Sequence, residues 1–220
     1  MILRTFLSLL VIISLSSCFE VVEDITFKND GSGVFKLIIN LSQSKNEINT
    51  LMKLDTSSGY KIPKEKELNA YLDQALKTLK TSDGLTNVSI TKDFKNWVFE
   101  IKADFNKSEN LETGLKNIYS DFSGGKKFTF RNKITFDGKL LEREMDAPDE
   151  KTRVQLNKPT EKRIFAKAKY TTIYRFESTV NSHKNARAKV SPSKKAVMLQ
   201  ANVLNVINGK ETIQNIIKLN

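Results

Sequence analysis

The sequence predicts an α+β fold: an antiparallel sheet built from hairpins, with helices packed on one face. Apolar residues alternate in paired segments joined by short turns rich in Asn, Asp and Gly, the mark of local hairpins. Between the pairs stand segments whose apolar residues recur every three or four positions, which is helical spacing. The order strand, strand, helix, strand, strand, helix, strand, strand suits a sheet with helices on one side. A parallel doubly wound fold is disfavoured, because the hairpins are local and no glycine-rich, phosphate-cradling turn is present.

The first hairpin runs from Phe19 to Ser42. Ile25 and Phe27 precede the turn Asn29-Asp30-Gly31-Ser32-Gly33, and Phe35, Leu37, Ile39 and Leu41 follow it. These face the core, while Lys36 and Asn40 face water. Val34 and Ile38 interrupt the polar face, which implies partial cover there. Gln43 to Leu54 reads as a short helix through Ile48, Leu51, Met52 and Leu54, and Ser57-Ser58-Gly59 makes a loop. Pro63 suits the first turn of the next helix, where Leu68, Tyr71, Leu72, Ala75, Leu76 and Leu79 give the clearest apolar stripe of the chain. Thr81-Ser82-Asp83-Gly84 ends it.

A second hairpin pairs Leu85–Thr91, through Val88 and Ile90, with Trp97–Phe105, through Trp97, Phe99, Ile101 and Ala103. A third helix starts near Ser108 and carries Leu111, Leu115, Ile118 and Tyr119. Leu111 stands where a capping box needs Glu or Gln, and Gly114 weakens the helix by about 1 kcal/mol. Gly124-Gly125 marks its exit. Lys126 to Met145 returns as a hairpin turning at Asp137-Gly138, with Phe128, Phe130, Ile134, Phe136, Leu140 and Leu141. Asp146 to Pro159, polar and holding Pro148, reads as a loop or linker. Ile164 to Phe176 is a strand, Ala186–Val190 and Ala196–Leu199 pair across Ser191-Pro192-Ser193, and apolar stretches follow at Val203–Ile207 and Ile213–Leu219.

Three parts follow: a signal peptide over 1–17, an α+β domain over 18–150, and a basic, β-rich part over 151–220 read as an extension of that domain. Arg4, the apolar run Phe6–Leu15 and then Leu15-Ser16-Ser17-Cys18 have the layout of a lipoprotein signal. The run is too short to span a bilayer as a finished helix. Cleavage before Cys18 would leave that residue carrying thioether lipid and an N-acyl group such as palmitate. Several acyl chains hold a protein firmly where one does not. The chain has one cysteine and one histidine, His183, so it offers no disulfide pair and lacks the usual zinc and iron–sulfur ligands. In many Gram-negative bacteria an Asp directly after the lipidated cysteine favours the inner membrane. Here Phe19 stands there, which points to the periplasmic face of the outer membrane.

The formal net charge is +11, and essentially all of it arises after Asp149. Such a field implies an anionic partner, either an anionic lipid surface or an acidic envelope protein. Lys184, Arg187, Lys189, Lys194 and Lys195 lie in and around one expected hairpin and form the candidate contact patch. Export and the lack of an aromatic-basic RNA-binding motif argue against nucleic acid. No catalytic, cofactor-binding or metal-ligating set emerges. His183 sits in the polar turn Asn181–Asn185 without a partner, Trp97 reads as core, and Asp30-Gly31 and Asp137-Gly138 are turns. Glu142, Glu144 and Asp146 alternate on one side of a strand and its continuation, with no cleft residue to oppose them.

Cys18 followed by the strand Glu23-Asp24-Ile25-Thr26-Phe27, the turn Asp30-Gly31-Ser32-Gly33, the restart at Val34-Phe35, two helical stretches and the late Tyr174-Arg175-Phe176 resembles the LppM-like domain family of bacterial lipoproteins. The resemblance covers most of the chain after Cys18. It implies a membrane-anchored extracytoplasmic protein that acts at the envelope or binds lipid, without a catalytic residue set. Many members carry a membrane-spanning segment after the domain, whereas this chain ends at Asn220, so the lipid on Cys18 is the sole expected anchor.

Two function classes follow, both non-enzymatic. A lipid-anchored binding module would offer a groove between sheet and helices, lined by Phe99, Ile101, Leu72 and Leu76, with bases at its mouth. A structural or assembly subunit of an envelope complex would instead have a filled core and an exposed apolar strip or an open strand edge.

Overall fold

The computed structural model describes residues 19–57, 60–122, 132–146, 148–159, 162 and 165–220. The signal peptide, Cys18, Gly124-Gly125, Phe128 and Phe130 lie outside the described residues.

Alternation and turn chemistry set the first hairpin. β1 (Glu20–Phe27) and β2 (Gly33–Asn40) pair antiparallel, with Glu20 opposite Asn40 and Phe27 opposite Gly33. Ser32 closes the turn by donating from its backbone N–H and its hydroxyl to the Asp30 carboxylate, at 2.9 and 2.7 Å, and this lowers the Asp30 pKa. Gly33 allows a close approach: a Cβ there would lie 2.1 Å from the Thr26 carbonyl oxygen and 2.5 Å from the Phe105 ring. Phe105 therefore packs directly over the backbone of β2.

A single 3-10 turn over Ser42–Ser44 leads into α1 (Lys45–Leu51), and β3 (Thr56–Ser57) pairs with β4 (Tyr60–Lys61). α2 (Glu65–Lys80) begins after Pro63, and the Glu67 carboxylate caps it by accepting from the Lys64 N–H at 2.9 Å. β5 (Leu85–Asp93) and β6 (Val98–Phe105) form the second hairpin. Trp97 belongs to its turn, with φ of 57°, and not to the strand. Its ring is buried against Phe94 and Phe99 and donates from Nε1 to Asn49 at 3.0 Å. α3 (Ser108–Phe122) lies close on β5, because a Cβ at Gly114 would stand 2.7 Å from the Leu85 side chain. The glycine that weakens the helix in isolation is what lets it dock.

β7 (Asn132–Phe136) and β8 (Leu140–Met145) pair across Asp137-Gly138. The stretch expected as a loop holds α4 (Glu150–Leu156), bracketed by Pro148 before it and Pro159 beyond it, positions where a missing N–H breaks no helical bond. The remaining elements are β9 (Lys169–Phe176), β10 (Val180–His183), β11 (Lys189–Val190), β12 (Ala196–Asn202), α5 (Val203–Ile207) and β13 (Asn215–Leu219).

The fold is α+β, with helices packed against a multi-stranded sheet whose order is β11-β12-β9-β1-β2-β6-β5. Two features depart from a purely antiparallel hairpin sheet. β1 and β9 run parallel, with Glu20 beside Lys169 and Phe27 beside Phe176. A second, four-stranded sheet also forms, in the order β10-β13-β8-β7. Both rest on pairings between segments far apart in the chain, which leave no turn signal in the sequence.

The inner face of the large sheet carries Ile25, Phe27, Phe35, Ala103, Phe105, Tyr174 and Leu199, all buried. α2 and α3 cover it over β5 and β6. The small sheet covers it over β1 and β9, where the Phe136 ring meets those of Phe27 at 4.8 Å and Phe176 at 5.7 Å. The covering layer is thus part helix and part sheet. The seam between them is where the candidate site lies.

Candidate functional site

A helix and a sheet edge have different cross-sections and do not tile a flat surface without a gap. Where α3 meets β7, the seam leaves a cavity of about 200 Å³. Its floor is Ile25 of β1 with Phe35 and Leu37 of β2. Leu111 and Leu115 of α3 form one wall and Ile134 of β7 the other. These side chains follow from period: alternate residues of β1 and β2 point inward, and Leu111 and Leu115 are four apart on one helix face. At the more exposed side of the cavity, Glu112 and Lys116 of α3 form an ion pair one helical turn apart.

The inner end of the cavity is polar. Glu23 occupies an inward position of β1, in step with Ile25 and Phe27, and its residue is 7% exposed. Arg143 occupies an inward position of β8, between Leu141 and Met145, and is 4% exposed. Their charged groups meet at 3.3 Å. The Glu23 carboxylate also accepts from the hydroxyls of Tyr170 at 2.9 Å and Tyr174 at 2.8 Å. Arg143 Nη1 donates to the Asn132 side chain and to the Glu144 carbonyl at 2.9 Å. Its Nε is buried without a hydrogen-bond partner.

Burial and the Glu23 charge together push both tyrosine hydroxyls well above their ordinary pKa, so they remain protonated donors. Burial opposes the Arg143 charge, but the adjacent Glu23 more than offsets it and holds the guanidinium above its usual value. Each ion depends on the other, since a buried charge without its partner is costly. The cluster therefore joins the two sheets at the cavity's end.

The structure separates the five bases singled out from the sequence. Lys189, Lys194 and Lys195 stay together, exposed on the β11–β12 hairpin. Arg187 pairs with Glu211 at 2.7 Å and donates to the Gln200 carbonyl. Lys184 lines a second cavity, of about 410 Å³, with Glu142, Glu144 and Gln214, and Arg143 borders it too. His183 Nδ1 lies 3.0 Å from the Asn185 carbonyl oxygen. Phe99, Ile101, Leu72 and Leu76, the expected lining of a groove, are not among the residues that line the cavity at the α3–β7 seam. Phe99 packs on Phe94 and Trp97, while Leu76 and Ile101 pack against the core.

Sequence reasoning passed over Glu23 and Arg143, though each left a signal. Both are charges in register with buried apolar neighbours two residues away, a parity that solvent-facing charges do not keep.

No protein-family model and no curated protein matches the chain. Among solved structures it is similar to the NMR structure of the folded domain of Mycobacterium tuberculosis LppM. The two share 13% identity with a TM-score of 0.46, over 93% of this chain and 91% of that one. At that level the likeness transfers no function, and the site must speak through its own chemistry. Among the described residues no helix is long and apolar enough to cross a membrane, and no group of three or more His, Cys, Asp or Glu side chains could hold a metal ion.

Proposed function

We propose that this protein is a lipid-anchored, non-enzymatic component of the bacterial cell envelope that binds a hydrophobic ligand at the seam between α3 and the small sheet. The cavity of about 200 Å³ is the observation that carries the binding role, since interiors normally close such gaps. The lipoprotein-type signal ending at Cys18 supports the anchor and an exported location, with the periplasmic face of the outer membrane as its place. The Glu23 carboxylate, engaged by three donors, is not a free general base, and this supports a non-catalytic reading.

The hairpin lysines add to this reading. The Lys195 carbonyl accepts from the Phe176 N–H, at the Phe27 end of β1, whereas Cys18 precedes its Glu20 end. At a rise of about 3.3 Å per residue the two ends lie roughly 23 Å apart. Lys194 and Lys195 thus suit an acidic envelope partner better than the anchoring leaflet. A structural subunit is the second reading. Val22, Ile38 and Ile173 on the outer face of the large sheet, half-buried among charged neighbours, speak for it.

The test is metabolic labelling of the full chain with an alkyne palmitate in a bacterial host, then purification from membranes and mass spectrometry of co-purifying lipids and proteins. The expected result is label that disappears in Cys18→Ser, with a small hydrophobic compound retained by the protein. Unlabelled protein in the cytosol, or a stoichiometric protein partner with no retained compound, defeats the proposal.

A further inference from the structure

The end of the large sheet nearest Cys18 is also where the basic segment before β9 is fastened. The Phe19 carbonyl accepts from the Lys169 N–H at 3.0 Å, and Glu20 stands beside Lys169 in the parallel pair of β1 with β9. The Phe19 and Phe165 rings meet edge to face, with centroids 5.6 Å apart. Cys18 is one peptide bond from Phe19, so chain geometry holds its Cα within about 10 Å of the Lys169 N–H, roughly one Debye length.

Charge and exposure single out the same segment. Residues 149–169 hold seven bases and three acids. Two of the acids, Asp149 and Glu150, sit together at the start of α4, which leaves Glu161 alone among the bases that follow. Lys151, Lys158, Lys162, Lys167 and Lys169 are exposed. Val154, three residues past Lys151 and so its neighbour on the surface of α4, is 63% exposed. An exposed apolar side chain beside a base suits the headgroup layer of a bilayer, which takes up both. Lys194 and Lys195, at the opposite end of β1, do not share this position.

We propose that the segment 151–169 is a second membrane contact, in which its exposed lysines engage anionic phospholipid headgroups of the leaflet that holds the acyl chains on Cys18. The proposal rests on that lipid anchor and deepens it. A tether alone leaves the body free to tumble, whereas the added contact turns the Phe27 end of β1, with Lys194 and Lys195, away from the bilayer.

The test uses the full chain purified from bacterial membranes, with lipid on Cys18 checked by intact mass. It is placed in nanodiscs of phosphatidylcholine alone or of phosphatidylcholine mixed equally with phosphatidylglycerol, and amide hydrogen exchange is followed. The expected result is that exchange in α4 and at residues 165–169 slows by about tenfold in the mixed nanodiscs, while the β11–β12 hairpin is unchanged. High salt removes the slowing, and so does the triple variant Lys151→Gln, Lys162→Gln, Lys169→Gln. The variant Lys189→Gln, Lys194→Gln, Lys195→Gln keeps it. Lipidated protein that exchanges equally in both nanodiscs, or that slows at the hairpin instead, overturns the inference and leaves the anchor standing. Slowing that survives both high salt and the first triple variant overturns it as well, since headgroup charge is then not its cause. Protein without lipid on Cys18 removes the anchor and the inference together.

Discussion

Glu23 and Asp24 are neighbours on β1, and each pairs with an arginine, yet the two pairs occupy different worlds. Glu23 points inward to Arg143 at 3.3 Å, with side chains 9% and 3% exposed. Asp24 points outward to Arg175, which grips it with Nε and Nη2 at 3.0 Å each while its side chain stays half exposed. The outward pair has the better geometry. Water and salt nevertheless dilute it, and two long side chains lose freedom to form it. The inward pair is looser, but neither partner has water to fall back on. Position across the pleat, more than distance, decides what an ion pair is worth.

The largest expected effect comes from breaking the inward pair on one side. Arg143→Leu leaves Glu23 buried and unpaired, and should cost about 3–5 kcal/mol in urea unfolding. Combining Glu23→Gln with Arg143→Met removes both charges and should recover most of that loss. If Arg143→Leu costs no more than a surface substitution, the two faces of β1 are not as different as the burial implies.

Alkali should separate the faces next. The hydroxyls of Tyr170 and Tyr174 have pKa values raised above the ordinary 10.0, by burial first and then by Glu23. Below that value both are protonated whether folded or unfolded, and their contribution to stability is fully present. Above it the unfolded chain ionises first, so stability falls by about 1.4 kcal/mol per pH unit for each tyrosine until the folded hydroxyl titrates. Tyr174→Phe should remove one such contribution from the slope above pH 10. An unchanged slope would mean that the hydroxyl is solvated in the folded protein.

The smallest effect belongs to the outward pair. Asp24→Asn should cost at most about 1 kcal/mol at low salt, and less at high salt. A loss comparable to that of Arg143→Leu would erase the contrast between the faces.

Local pattern made much of this fold legible. The alternation of Ile25, Phe27, Phe35 and Leu37 gave the register of the first hairpin, Asp30-Gly31 and Asp137-Gly138 gave its turn and that of β7–β8, and the stripe from Leu68 to Leu79 gave α2. Gly114 was legible as a weak point in a helix but not as a docking point, because the Leu85 side chain it admits comes from another element. The five bases shared a sequence neighbourhood, yet Arg187 is drawn to Glu211 and Lys184 to a different cavity, through contacts with β13 and the loop before it. A cavity was expected between sheet and helices, and one lies at the seam of α3 with β7.

The sequence by itself determined which residues turn inward on each strand and helix, since the periods of 2 and 3.6 are properties of the local backbone. It also determined that Glu23 and Arg143 are charges at inward positions. Only the tertiary structure decided that they meet, because 120 residues separate them and pairing of that range is set by the packing of one sheet upon another. The same packing set the parallel union of β1 with β9 and the empty seam beside them, for the space between elements belongs to no single segment of the chain.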